Sequence, residues 1–251
     1  MTASLGRLIV DADDPAAVRG FWETALGPDA CARLLEVVPQ ERPKVVKNRV
    51  HLDVYVRDVD VLLAMGARVL DAYPPLRATL ADVEGNEFCA FVDPDLDGDV
   101  PARAFAVCTD SERPADIAAW WAPRVGAQIG PGPDGTPRYL HGCAGWPDLV
   151  WKFVPVPDAR VTPNRWRWSV GGGTFDNPVD PDGNEFVQRG LVKEANGARN
   201  VEHILRRSTT PRMPPWRMAS QPVPVAGADG AAGCATPPAW FRRGGRTWAT
   251  P

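Results

Sequence analysis

Hydrophobic and polar positions along this chain switch between a period of two and a period of 3.6, and the switches predict its elements in order. Leu8-Ile9-Val10 is a short apolar run rich in β-branched residues and predicts a buried strand. Asp14 and Pro15 suit the cap and first position of a helix. Val18, Phe21, Trp22 and Leu26 then fall on one helical face before Gly27 ends it. A short connection and a strand over 34–38 follow. Over 50–56 the alternation is regular, with His51, Asp53 and Tyr55 on one face and Val50, Leu52, Val54 and Val56 on the other. Asp58 opens a helix with Val61, Leu62 and Met65 on its apolar side. Val69-Leu70 and Thr79-Leu80 are strand pieces, 82–86 is a turn, and 87–91 is the next strand. Strand, helix and strands thus occur twice in the first ~92 residues, an α+β pattern.

The order restarts after an acidic, turn-rich stretch. Phe105-Ala106-Val107-Cys108 reads as a strand, and 112–126 as a helix carrying Ile117, Trp120 and Trp121. Strands are predicted over 138–141, 149–153 and 165–170, with room for an extra hairpin between Gly126 and Leu149. Two sequence blocks recur in the same order. Gly85-Asn86-Glu87-Phe88 returns as Gly183-Asn184-Glu185-Phe186. Asn48-Arg49-Val50-His51 returns as Asn164-Arg165-Trp166-Arg167. Two ordered matches imply an internal duplication. The first half has a helix between its blocks; the second has Gly171-Gly172-Gly173 and no room for one.

Composition narrows the class. At 44% hydrophobic and 24% charged, the 251 residues are globular in character. A net charge of −3 gives no field that favours nucleic acid or an anionic membrane. No apolar run is long enough for a membrane span, and the N-terminus lacks the basic-then-apolar order of a secretion signal. Five scattered cysteines without a Cys-x-x-Cys pair read as reduced thiols. Together these point to a cytoplasmic protein. From Arg189 the chain turns basic and rich in Pro, Gly and Ala, and residues 189–251 read as a disordered tail.

The Asp-Pro-helix start, Lys47-Asn48-Arg49-Val50-His51-Leu52-Asp53-Val54 and Gly85-Asn86-Glu87-Phe88-Cys89 resemble the glyoxalase-like domains of the vicinal oxygen chelate superfamily, which includes glyoxalase I, bleomycin-resistance proteins and extradiol dioxygenases. The resemblance implies tandem paired βαβββ modules, with residues 1–92 as a first domain, 93–102 as a linker and 103–188 as a second, incomplete one. It also implies a divalent metal (Zn, Ni, Fe or Mn) held by residues on the first and last strands of each module. Carried over, His51 and Glu87 are ligands, Glu36 is the nearest third, and Glu87 is the candidate general base. Aligning Asp14-Pro15 with Asp58-Val59 puts Arg7 at the place of His51, and arginine cannot ligate a metal. In the second half Arg167 replaces the histidine, and Lys152 occupies roughly the place of Glu36. The implied activity is that of a metal-dependent lyase or isomerase acting on a small oxygenated substrate. Two alternatives stay open: metal-free sequestration of a small molecule, as in the bleomycin-resistance branch, and an inactive degenerate duplicate. The partner is a small molecule rather than nucleic acid or membrane, and the protein is a monomer or a homodimer. The tryptophans read as core.

Overall fold

The computed structural model describes residues 2–40, 43–74, 76–158 and 160–189. Of the tail expected over 189–251, Arg189 ends a strand and residues 190–251 lie outside the described residues. Sixteen elements fall into four modules. The first is β1 (Ser4–Ala12), α1 (Pro15–Leu26), α2 (Pro28–Leu34) and β2 (Leu35–Pro39). The second is complete: β3 (Val50–Val56), α3 (Val59–Ala64), β4 (Arg68–Tyr73), β5 (Arg77–Ala81) and β6 (Glu87–Val92). The third is also complete: β7 (Ala102–Ser111), α4 (Pro114–Val125), β8 (Gln128–Pro131), β9 (Pro137–His141) and β10 (Val150–Pro155). The fourth retains β11 (Trp166–Gly171) and β12 (Val187–Arg189). The connection expected after Gly27 is instead helix α2, which Pro28 starts and which carries Arg33 in its last turn. Among the described residues no helix is long and apolar enough to cross a membrane.

The two complete modules build an eight-stranded sheet in the order β4-β5-β6-β3-β7-β10-β9-β8. The two stripped modules build a four-stranded sheet, β12-β11-β1-β2. Each module therefore pairs with a module from the other half of the duplication: β3 runs antiparallel to β7, and β1 antiparallel to β11. The helix-facing residues of both sheets join one core. Leu8, Val10, Leu52 and Val54 are fully covered, and Trp22, Trp121, Trp151, Trp166 and Trp168 are buried among them. Full burial of such a side chain contributes about 1.5–3 kcal/mol. Helix α1 begins as its sequence asks: the Asp14 carboxylate accepts the Ala16 and Ala17 amides, and Pro15 takes the first position.

The repeated tetrapeptide forms the same polar latch twice. Asp82 is fully buried. Its carboxylate accepts hydrogen bonds from the Asn86 side chain at 3.0 and 3.1 Å, the Asn86 and Glu84 amides, and the Trp22 indole at 3.2 Å. Asn86 in turn accepts from the Asn48 side chain at 3.0 Å. Phe88 packs edge-on to Trp22 with centroids 5.1 Å apart. In the second copy Asp180, Asn184, Asn164, Trp121 and Phe186 repeat the arrangement, with one hydrogen bond from the Asn184 side chain to Asp180 in place of two. The turn demands glycine: Gly85 and Gly183 adopt φ of 81° and 79°. Burial raises the pKa of both aspartates, against the hydrogen bonds that lower it.

Asn86→Ala and Asn184→Ala each strip a buried carboxylate of hydrogen bonds. Each is expected to cost about 1–3 kcal/mol in urea denaturation, and by similar amounts. A loss at only one position would show that the two latches are not equivalent.

Candidate functional site

Strand alternation puts one polar row on the face of the eight-stranded sheet away from the helices. His51 and Asp53 project from β3, opposite Cys108 and Ala106 of β7, and Lys152 of β10 stands beside Cys108. Asp53 pairs in register with Cys89 of β6, so Glu87 falls two residues back, level with His51. One row across four strands therefore reads Glu87, His51, Cys108, Lys152. The equivalent row of the four-stranded sheet reads Glu185, Arg167, Ile9, Glu36. Register thus places Ile9, rather than Arg7, at the position opposite Arg167, and it confirms Lys152 as the counterpart of Glu36.

The three residues the sequence nominated do not meet. Glu36 is on β2 in the other sheet, where it pairs with Arg7 at 3.0 Å and Arg189 at 2.5 Å. Glu87 turns back along its own module: Lys44 donates to it at 2.6 Å and the Asn48 amide at 3.0 Å. Glu185 takes the Asn164 amide and Arg160 in the same way. Both glutamates therefore close the latch in this structure. His51 is buried and instead meets Asp53, with Nε2 3.5 Å from Oδ1, and Cys89, 3.7 Å from its Sγ.

Asp53 is the hub. It is fully buried, accepts the Cys108 thiol at 3.2 Å and the Lys152 ammonium at 2.8 Å, and neighbours His51. Burial disfavours the Lys152 ammonium, but the Asp53 carboxylate outweighs it and holds the lysine pKa above its usual value. Lys152 therefore stays charged. It also lies over aromatic faces, 4.5 Å from the Phe105 centroid, 5.5 Å from Phe91 and 5.7 Å from Tyr139. Tyr55 stacks on Phe105 at 4.0 Å. The Tyr139 hydroxyl is buried without a hydrogen-bond partner, and burial pushes its pKa up to about 12, so it remains a donor.

His51, Asp53 and Cys108 each offer one donor atom, all within 4.8 Å of one another, a group able to hold a metal ion. Imidazole, carboxylate and thiolate suit zinc and its neighbours. The charge environment is against it. Asp53 already has an ammonium at 2.8 Å, and a divalent ion on the same carboxylate would sit in direct repulsion with Lys152. As arranged, the residues fit one cation at Asp53, and Lys152 supplies it. Asp53 and Cys108 were not among the residues nominated from sequence. Asp53 carried a signal, since it shares the alternating face of His51. Cys108 carried none, and Lys152, though aligned with Glu36 from sequence, gave no sign of meeting Asp53, because both approaches depend on the β3–β7 pairing.

Paired βαβββ modules whose first strands meet antiparallel define the class: a vicinal oxygen chelate fold. Residues 7–91 match the family model described as a glyoxalase-like domain. Among solved structures it is similar to a glutamate-to-glutamine mutant of glyoxalase I from Zea mays, with 12% identity over 75% of this chain and 94% of that one, at a TM-score of 0.49. It is also similar to the unmutated glyoxalase I from Zea mays, with 12% identity over 68% and 74% of the two chains, at a TM-score of 0.44. No curated protein matches it in sequence.

Lys152→Met leaves the Asp53 carboxylate buried without its cation, and is expected to destabilise the fold by about 3–5 kcal/mol in urea. Adding Asp53→Asn to the same chain removes the stranded charge and should restore most of that loss. An additive double variant would show that the two side chains do not act as a pair.

Proposed function

We propose that this protein binds a small oxygenated molecule on the polar face of the eight-stranded sheet without a divalent metal, as a sequestering rather than a catalytic member of its class. The observation that carries this reading is the Lys152–Asp53 pair at 2.8 Å. A fixed ammonium stands in the row from which the superfamily's metal would be held. The Lys152 ammonium and the Tyr139 hydroxyl are two hydrogen-bond donors for a carbonyl oxygen of the ligand, and Asp53 beside Lys152 disfavours an anionic one. The stacked rings of Tyr55 and Phe105 supply a flat apolar surface beside them.

The second reading is a metal-dependent lyase or isomerase. It is favoured by the convergence of His51, Asp53 and Cys108 within 4.8 Å. It requires Lys152 to give up Asp53, and Glu87 to leave Lys44 if it is to serve as ligand or base. Zn, Ni, Fe or Mn would then polarise the substrate oxygen. The third possibility, an inactive duplicate, draws support only from the stripped first and fourth modules, which contribute nothing to this row.

Metal analysis of the purified full chain separates the first two readings. The wild type and His51→Ala are expected to carry the same amount of metal, well below one ion per chain. One equivalent in the wild type that is lost in His51→Ala transfers the assignment to the metal-dependent reading.

A further inference from the structure

The two halves of the duplication also meet at their loops, away from the Asp53 row. A cavity of about 420 Å³ lies between residues 43–49, before β3, and 160–165, before β11. That volume falls in the range of roughly 300–1,000 Å³ usual for small-molecule sites. Its walls are two copies of one segment. Asn48 corresponds to Asn164, and stepping back from each aligns Lys44 with Arg160 and Val45 with Val161.

The walls are apolar in an unusual place. Val45 and Val161 are each 72% exposed, the most exposed large apolar side chains among the described residues. Val46 stands beside Val45, 40% exposed, and Pro43 and Pro163 extend the same surface. Exposed apolar groups gathered around a cavity mark a ligand surface more readily than scattered ones do.

Among the cations lining it, Arg49 alone has no carboxylate partner among the described residues; the exposed Asp158, which also lines the cavity, offers it only a backbone carbonyl. Lys44 is matched by Glu87, Lys47 by Asp110 at 2.6 Å, and Arg160 by Glu185. Arg165 is matched by Glu84 at 3.1 Å and Asp13 at 3.6 Å. Arg49 is the duplicate of Arg165, yet its guanidinium donates only to neutral carbonyls, Asp158 O at 2.8 Å and Asp110 O at 3.4 Å. Its Nε is buried with no hydrogen-bond partner. In the first copy Glu84 lies against Arg165. The corresponding acid of the second copy, Asp182, is bound to Ser111 and Arg113 instead. Arg49 has therefore lost the carboxylate that its twin retains, and a guanidinium so placed favours an anion.

We propose that this cavity is a second binding site, for an organic acid with a single carboxylate head and a short apolar body, the head on Arg49 and the body along Val45, Val46 and Val161. Octanoate is a suitable probe, with 1-octanol and inorganic phosphate as controls for body and head alone. Calorimetry on the full chain is expected to show octanoate binding with one site at this cavity, and at least tenfold weaker binding of either control. Arg49→Gln should weaken octanoate at least tenfold. Val161→Asp, a change at an exposed position that leaves the core alone, should do the same by setting a charged carboxylate against the apolar body, and it decides the matter if Arg49→Gln fails to fold. Tyr139→Phe, which alters the polar face of the eight-stranded sheet, should leave octanoate affinity unchanged. No octanoate binding by the wild type, an unaltered affinity in Val161→Asp, or a loss in Tyr139→Phe would each overturn the proposal. The metal reading of the Asp53 row can fail or hold without touching these outcomes.

Discussion

A carboxylate removed from water must be hydrogen bonded on every side, and the architecture rests on two such groups. Asp82 gathers the Trp22 indole from α1, the Asn86 side chain and the turn amides before β6. It thereby fixes the helix of the first module to the last strand of the second. Asp180 does the same between α4 and the strand before the tail. Among the described residues the fourth module has no helix or hairpin of its own, and its final strand takes this borrowed attachment. Leaving any of these buried donors or acceptors unpaired would cost about 1–3 kcal/mol, against a total stability of about 5–15 kcal/mol.

That constraint explains why the duplicated sequence and the candidate site are different residues. Asn48, Asn86, Glu87 and Phe88 recur because each has a place in the latch. The row beside the latch has no such duty, and there the copies diverge: His51 against Arg167, Cys108 against Ile9, Lys152 against Glu36. Divergence has changed the sign of the charge at the last of these positions. A lysine where the other sheet has a glutamate turns a donor position for metal into a cation, and Asp53 is drawn to it.

Most of the elements were legible because local chemistry announces them. Asp14 with Pro15 predicted the start of α1, the regular alternation over Val50–Val56 predicted β3, and Gly85-Asn86 predicted a turn that needs positive φ. Helix α2 was not legible, since seven residues with a single buried side chain, Cys31, carry too little periodicity to count. The candidate site was half legible. His51 and the face it shares with Asp53 follow from alternation alone. Its other members do not, because Cys108 and Lys152 reach His51 only through a pairing between β3 and β7 across the two halves. Strand partners separated by some fifty residues are set by the whole topology, and no local pattern encodes them. The same reasoning covers Glu36, whose sheet is decided by its pairing with β1.

The stripped modules raise a different physical question, because removing outer strands exposes what they covered. In the four-stranded sheet the face away from the helices carries charge. Arg7 and Arg189 flank Glu36, and Arg167 meets Asp11 at 2.7 Å. At the β2 edge Glu36 and its arginine partners are partly exposed, and such pairs are worth about 0–1 kcal/mol each. Their charge keeps that edge hydrated and unfit for pairing with another sheet. Further in, the face is covered: Ile9, Asp11 and Ser169 are buried, and Arg167 answers the buried Asp11. Both sheets thus hold a buried aspartate against one cation, Asp11 with Arg167 and Asp53 with Lys152.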